Sequence, residues 1–311
     1  MPLNILFAAR HERWTEYEAP LHKALSDAGI DGYTLSMDLP ADQVDYIIYA
    51  PNSPLQDFTP YTRAKAVLNL WAGVEGIVRN ETLTQPLTRM VDDGLERGMV
   101  EWVTGHVLRH HLGTDAHVLG QDGTWRHEVP PLAKDRPVTI LGLGALGRAC
   151  AEALVYLGFP VTGWSRSRKN IAGITCLSGD AGLPQALCTA QILVLLLPDT
   201  PQTENVIDAD ALARMPAGAC LINPGRGPLI DDDALLAALD DGHIGHATLD
   251  VFRTEPLPPD HPYWGHPKVT VTPHIASETR PDTAAQVIAE NIRRGEAGED
   301  LLHLVDRDLG Y

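Results

Sequence analysis

Gly142-Leu143-Gly144-Ala145-Leu146-Gly147 follows the apolar run Pro137-Val138-Thr139-Ile140-Leu141 and precedes a stretch with apolar residues at helical spacing. The lead-in is rich in β-branched residues and predicts a buried strand. Leu146, Ala149, Ala153, Leu154 and Leu157 recur at the spacing of one helix face, so Ala145–Leu157 predicts a helix. A turn of this kind brings backbone N–H groups and the positive end of a helix dipole against a pyrophosphate. Its first glycine permits the tight turn, its second admits a phosphate, and its third lets helix and strand pack closely. GxGxxG alone is weak evidence, but in a strand–turn–helix setting it predicts a dinucleotide site.

Outward from that turn, strands and helices alternate almost throughout. Leu3–Ala9, Asp45–Ala50 and Ala66–Leu70 read as strands, and Glu16–Ala28 as a helix closed by Gly29. Beyond the turn, strands are expected at Val161–Trp164, Ile192–Leu197, Cys220–Ile222, Ala247–Val251 and Val269–Thr272. Helices are expected at Asp231–Leu239, where three aspartates suit an N-terminus, and at Pro281–Gly295. This alternation implies an α/β class with doubly wound parallel sheets. The turn begins only at residue 142, so a small separate α/β domain precedes it, and the helix at Pro281–Gly295 is a candidate to return to it. His111–Leu132 reads as polar and irregular with an isolated Trp125, and a loop that long suggests a subunit-contact arm.

The 311 residues carry a net charge of −17, which argues against nucleic acid or anionic membrane partners. The charge is compatible with an anionic substrate, because salt screens surface charge beyond about 8–10 Å and a few arginines can dominate a cleft. No apolar stretch is long enough to span a bilayer, and the N-terminus lacks signal-peptide character, so a cytoplasmic location is expected. Cys150, Cys176, Cys188 and Cys220 lack metal-like spacing and read as buried reduced thiols. None of the 13 histidines forms an HExxH, and no catalytic metal is expected.

Where NAD-binding versions of this fold place an acidic residue, about 20 positions past the glycines, this chain has Trp164-Ser165-Arg166-Ser167-Arg168-Lys169. A ribose 2′-phosphate needs cations and hydroxyl donors, which Ser165, Arg166, Ser167 and Arg168 offer. NADPH is therefore expected in preference to NADH.

Three further segments follow predicted strands: Asn223-Pro224-Gly225-Arg226-Gly227, Asp250-Val251-Phe252 through Glu255-Pro256, and Thr272-Pro273-His274-Ile275-Ala276. In open parallel sheets ligands bind beyond the C-terminal strand ends, so these can converge on one crevice. Their chemistry suits carbonyl reduction of a 2-oxo acid. Arginine's planar fork grips a carboxylate, and a histidine supplies a proton near neutral pH. A neighbouring carboxylate orients the imidazole and favours its charged form. Arg226, His274 and Glu255 are the candidates. Singly, each has an ordinary structural role open to it; together, after successive strands, they read as a site.

With these residues in place, the chain resembles the D-isomer-specific 2-hydroxyacid dehydrogenase family. GLGALG, LLLPDTPQTENVI, INPGRG, LDVFRTEPLP and TPHIA occur in the family's order over nearly the whole length. The resemblance implies a Rossmann cofactor domain (99–277) inserted in a flavodoxin-like substrate domain (1–98 and 278–311), with the active site between them. It implies Arg226 as substrate clamp, His274 as acid/base and Glu255 as its partner. It also implies a homodimer held through the arm that includes Trp125. The segment from Trp164 to Lys169 is similar to the NADPH-using glyoxylate/hydroxypyruvate reductase A branch, which implies reduction of glyoxylate to glycolate and hydroxypyruvate to D-glycerate. Leu70-Trp71-Ala72-Gly73-Val74-Glu75-Gly76 resembles the family's substrate loop, so Gly73 and Val74 are expected to meet the carboxylate. Trp71 departs from the family's usual glycine and either narrows the pocket or packs in the core. Tyr49 likewise lines the pocket or fills the core. Leu197, Pro198 and Thr203 match positions flanking the adenosine and phosphates; Pro224 and Asp250 match positions near the nicotinamide. Phenylpyruvate, pyruvate or another 2-oxo acid are alternative substrates, and a dinucleotide-sensing corepressor-like protein is an alternative of another class. A methyltransferase gives no reason for Arg226, Glu255 and His274 at successive strand ends.

Overall fold

The computed structural model describes residues 2–310. Along the chain come β1 (Leu3–Ala8), α1 (His11–Asp27), β2 (Tyr33–Ser36), β3 (Tyr46–Tyr49), β4 (Ala66–Asn69), β5 (Leu87–Thr88), α2 (Asp93–Leu112) and α3 (Thr114–Val118). They are followed by β6 (Val138–Leu141), α4 (Ala145–Tyr156), β7 (Val161–Ser165), β8 (Ile174–Ser178), α5 (Gly179–Cys188) and β9 (Ile192–Leu195). Last come α6 (Ala209–Arg214), β10 (Ala219–Asn223), α7 (Asp232–Asp240), β11 (Ile244–Leu249), β12 (Val269–Val271) and α8 (Pro281–Ala297). The chain divides into two compact units, Met1–Leu95 with Glu278–Tyr311, and Glu96–Ser277. Among the described residues, no helix is long and apolar enough to cross a membrane.

The first unit is a parallel five-stranded sheet in the order β2-β1-β3-β4-β5, the flavodoxin-like winding. β3 and β4 are wholly buried, which explains why only Asn69, the last residue of β4, interrupts their apolar and aromatic sequences. On one face, α1 and α8 cover Ile5, Phe7, Ile48 and Leu68 through Leu21, Leu25, Ile288 and Ile292. Tyr46 closes the seam by donating its hydroxyl to Glu296 Oε1 at 2.8 Å. α1 starts at His11, five residues before the expected Glu16. No side-chain cap marks that start; Trp14 instead packs its ring 5.4 Å from Phe7, a tertiary contact that local spacing does not display.

The second unit is a parallel seven-stranded sheet in the order β12-β11-β10-β9-β6-β7-β8. Winding runs outward from β6 in both directions, so the strand order reverses between β6 and β9. That switch point is where such sheets take ligands, and Gly142 follows β6 directly there. Gly142 has φ +105, and a Cβ on it would run into the Leu196 carbonyl at the end of the neighbouring strand. A Cβ on Gly147 would collide with the Gly142 carbonyl oxygen, so the third glycine is what lets α4 lie against β6. A Cβ on Gly144, by contrast, would meet nothing within 4 Å.

Two sequence expectations change. The segment His111–Leu132 is not irregular from its start: α2 runs through Leu112 and α3 follows, tied back by a bidentate pair from Arg109 to Asp115 at 2.7 Å. Beyond it Leu119, Trp125, Val129 and Leu132 are exposed, Trp125 by 90%. Of the four thiols only Cys150 is fully buried, and Cys188 is exposed at the end of α5. Burial pushes the Cys150 thiol up to about 12 and Cys220 up to about 11.

Gly147→Ala is expected to lower the thermal midpoint by about 6–12 °C, because overpacking of this kind typically costs about 3 kcal/mol. Gly144→Ala should stay within about 2 °C of the parent, there being room for the methyl group. Differential scanning fluorimetry of the two variants reads this contrast directly.

Candidate active site

β10, β11 and β12 lie side by side, so the three segments that follow them are neighbours at one end of the sheet. After β10, the buried Asn223 donates its amide to Arg226 O at 2.9 Å and accepts from Gly225 N–H at 3.1 Å. Those two bonds fold the Asn223–Arg226 turn from within. Arg226 also donates from Nη1 to Gly225 O at 2.7 Å.

After β11, Asp250 is fully buried, and its carboxylate serves the next segment. One oxygen accepts from Thr272 Oγ1 at 2.6 Å and Ile275 N–H at 2.9 Å; the other accepts from Ala276 N–H at 2.8 Å. The Asp250 carbonyl accepts from His274 N–H at 2.8 Å. His274 itself has φ +54, a left-handed conformation that costs a non-glycine residue on the order of 1 kcal/mol. Hydrogen bonds to a charged acceptor contribute about 1.5–3 kcal/mol each, so the Asp250 set outweighs that cost. The expectation for Asp250 was a place near the nicotinamide. Its carboxylate shapes the loop that carries His274.

His274 Nδ1 lies 2.7 Å from Glu255 Oε2, and Glu255 Oε1 accepts from Phe252 N–H at 2.9 Å. An ionised carboxylate only accepts, so Nδ1 is the protonated ring nitrogen and Nε2 remains for proton exchange. The hydrogen bond to Glu255 raises the His274 pKa above the ordinary 6.5, against burial and the Arg226 charge, which lower it. Burial pushes Glu255 up, but the bonds from His274 and Phe252 N–H and the nearby charges leave it below the ordinary 4.5. His274 is exposed and Glu255 half-buried, so this pair meets solvent and can exchange protons.

The remaining cofactor candidates cluster around the switch point. Ser165 ends β7, is buried, and donates its hydroxyl to Ser167 O at 2.8 Å, which curls the exposed run Arg166–Lys169. After β9, Leu197 is buried, and Thr203 donates to Pro198 O at 2.7 Å while accepting from Thr200 N–H at 2.9 Å. Thr203 thus closes the loop on which Pro198 sits. Pro224 is buried in the turn after β10. Gly144 and Ala145, at the start of α4, are at least partly open. A left-handed glycine at the switch point, an uncrowded second glycine and a basic, hydroxyl-bearing loop after β7 fit a phosphorylated dinucleotide.

In the first unit, Tyr49 is only 1% exposed, with its ring edge-on to Phe58 at 5.3 Å. Of the two readings of Tyr49, that burial is the one of a core residue. Trp71 is 42% exposed and does not fill the core. Asn69, at the end of β4, donates to Trp71 O at 2.8 Å and Gly73 O at 3.0 Å, which pins the Trp71–Val74 loop. A peptide's C=O and the following N–H point opposite ways, so the Val74 N–H is turned away from Asn69. Asn69 was not singled out in the sequence, although a short polar residue ending an apolar strand is a turn signal.

A sequence model described as D-isomer specific 2-hydroxyacid dehydrogenase, NAD binding domain, matches residues 104–276. The chain is 38% identical over 317 residues, 99% of its length and 100% of the relative, to glyoxylate/hydroxypyruvate reductase A of Serratia proteamaculans. Among solved structures, a D-isomer specific 2-hydroxyacid dehydrogenase from Xanthobacter autotrophicus Py2 in complex with NADPH and MES is similar with a TM-score of 0.94 and 38% identity, covering 100% of each chain. The NADPH-dependent glyoxylate/hydroxypyruvate reductase of Sinorhizobium meliloti in complex with NADP and sulfate is similar with a TM-score of 0.84 and 32% identity, covering 100% of this chain and 99% of that one.

The ion pair makes a signed prediction. Because His274 is raised, the stabilisation from the pair is complete between about 4.5 and 6.5 and is lost as pH climbs through the raised value. Because Glu255 is lowered, it is also lost as pH falls through a value below 4.5. Glu255→Gln should bring the His274 midpoint, followed by histidine NMR, down to 6.5 or lower. A midpoint that does not move would detach the two residues.

Proposed function

The chain belongs to the D-isomer specific 2-hydroxyacid dehydrogenase family, and we propose that it reduces small 2-oxo acids with NADPH, glyoxylate to glycolate and hydroxypyruvate to D-glycerate. The observation that carries this reading is the His274–Glu255 pair at 2.7 Å, beside Arg226, at the ends of adjacent strands in a sheet with a glycine turn at its switch point. NADPH, when bound, supplies the hydride. Gly142, Gly144, Ala145, Leu146 and Gly147 hold its pyrophosphate against the α4 N-terminus. Ser165, Arg166, Ser167 and Arg168 hold the 2′-phosphate, and Leu197, Pro198, Thr203 and Pro224 line its path.

Arg226 is the clamp for the substrate carboxylate through its planar fork, and in the first unit the Gly73 and Val74 N–H groups are donors suited to a carboxylate. As negative charge grows on the carbonyl oxygen, His274 donates the Nε2 proton, and Glu255 stabilises the imidazolium before the transfer. Asp250 holds the backbone of that histidine in place throughout. Since reduction consumes the imidazolium, its rate should fall as pH rises through the raised His274 pKa.

Two features support assembly and location. Leu119, Trp125, Val129 and Leu132 offer an exposed apolar arm suited to a second copy of the chain, and a homodimer is proposed on that ground. Four unpaired cysteines suit a reducing, cytoplasmic setting.

The direct test is NADPH oxidation at 340 nm with glyoxylate and hydroxypyruvate, compared with NADH, phenylpyruvate and pyruvate. His274→Ala should lower kcat by about 10²–10⁴-fold with a smaller change in KM. A variant with near-normal kcat at neutral pH would remove His274 from the chemistry. Arg166→Asp should shift the kcat/KM ratio from NADPH towards NADH; an unchanged ratio would refute the 2′-phosphate site.

A further inference from the structure

β5 is only two residues long, and the chain's tail covers its outer edge. Leu304 bridges Thr88 in antiparallel fashion, Val305 N–H donates to Leu87 O at 2.8 Å, and Arg89 N–H donates to His303 O at 3.0 Å. On the inner edge Val67 pairs with Leu87 and Leu68 with Thr88, so Asn69 and Arg89 are the next neighbours in register. Val67 and Leu87 share a cluster with Val74 and Ile77, and side chains two residues on return to the same face. Asn69, Arg89 and the Val74 corner of the loop therefore belong to one face at one end of the first sheet. Met90 N–H donates to Trp71 O at 3.0 Å and ties the residue after Arg89 to that loop.

The polar groups gathered there do not satisfy one another. Arg89 is partly buried, and its guanidinium has no hydrogen bond or ion pair to any described residue. Burial lowers its pKa, and no carboxylate among the described residues offsets that. Burial also lowers the His303 pKa, and the Arg89 charge lowers it further; an imidazole, neutral or cationic, is no counter-charge to a guanidinium. Asn69 Oδ1 is buried without a partner. The Val74 N–H has no acceptor among the described residues. Desolvating a cation without a partner is expensive, and this one persists in a chain with a net charge of −17, where carboxylates are plentiful. An anion would complete the Arg89 guanidinium and the Val74 N–H.

We propose that Arg89 recognises carboxylate, and that with the Val74 N–H it forms an anion subsite in the first unit that takes the carboxylate of a small 2-oxo acid. This deepens the reductase reading and rests on it for the identity of the ligand. Arginine suits the role because its fork bonds both oxygens of a carboxylate at once.

The test uses the full chain and oxalate, a dicarboxylate that cannot accept hydride at a carbonyl. Oxalate should raise the thermal midpoint of the parent protein, and Arg89→Met should lose most of that shift while keeping the shift induced by NADPH. KM for glyoxylate should rise roughly 10–100-fold with kcat within about threefold. Arg89→Lys, which keeps the charge but not the fork, should fall between the two, and it carries the test if Arg89→Met does not fold. An oxalate shift and KM like the parent's in a folded variant would overturn the proposal. So would a parent protein that does not respond to oxalate, or a variant that loses the NADPH shift as well. If the parent fails to reduce glyoxylate yet shows an oxalate shift that depends on Arg89, the reductase reading falls and the subsite stands.

Discussion

The buried Asp250 carboxylate is the interaction on which the second unit's chemistry depends. It gathers Thr272 Oγ1, Ile275 N–H and Ala276 N–H while its own carbonyl takes His274 N–H. The segment Thr272–Ala276 after β12 has few other means of holding one shape. Without this anchor the left-handed backbone of His274 would relax, and the imidazole would leave Glu255. The geometry divides the labour between two acids five residues apart: one is dry and shapes backbone, the other meets solvent and sets a proton's affinity. Their environments decide those roles, since burial is complete for Asp250 and partial for Glu255.

A second constraint is steric and sits at the reversal of strand order between β6 and β9. Gly142 and Gly147 are required by carbonyl groups of this chain, whereas Gly144 has open space beside it. Two of the three glycines therefore serve the fold and one is left to serve a ligand. The same economy appears in the charges. The protein is strongly acidic overall, yet the loop after β7 carries arginine and hydroxyl groups and the turn after β10 carries Arg226.

The sequence disclosed most of the second unit because its signals are local. Residues 137–147 spelled out strand, turn and helix, and the residues following β10, β11 and β12 were found because apolar runs end abruptly in Asn-Pro-Gly, Asp and Thr-Pro. What stayed hidden depends on partners distant in sequence. The start of α1 rests on Trp14 meeting Phe7, and β5 exists only because β4 and the tail flank two residues. α2 could not be read where histidines and charged residues blur its periodicity. Asp250 was legible as a site residue, but the hold of its carboxylate on its own loop rests on three bonds that span 22 to 26 positions. Tyr49 was undecided for the same reason, since only packing against Phe58 assigns it to the core.

The most direct measurement is the turnover of Asp250→Asn with glyoxylate and NADPH. Asparagine keeps the size and one acceptor but turns an NH₂ group towards a backbone N–H, so the loop loses its anchor while the glycine turn is untouched. The account predicts a kcat lowered at least about tenfold, with KM for NADPH within about threefold of the parent. A folded variant with the parent's kcat would show that His274 holds its place without Asp250, and the account would be wrong.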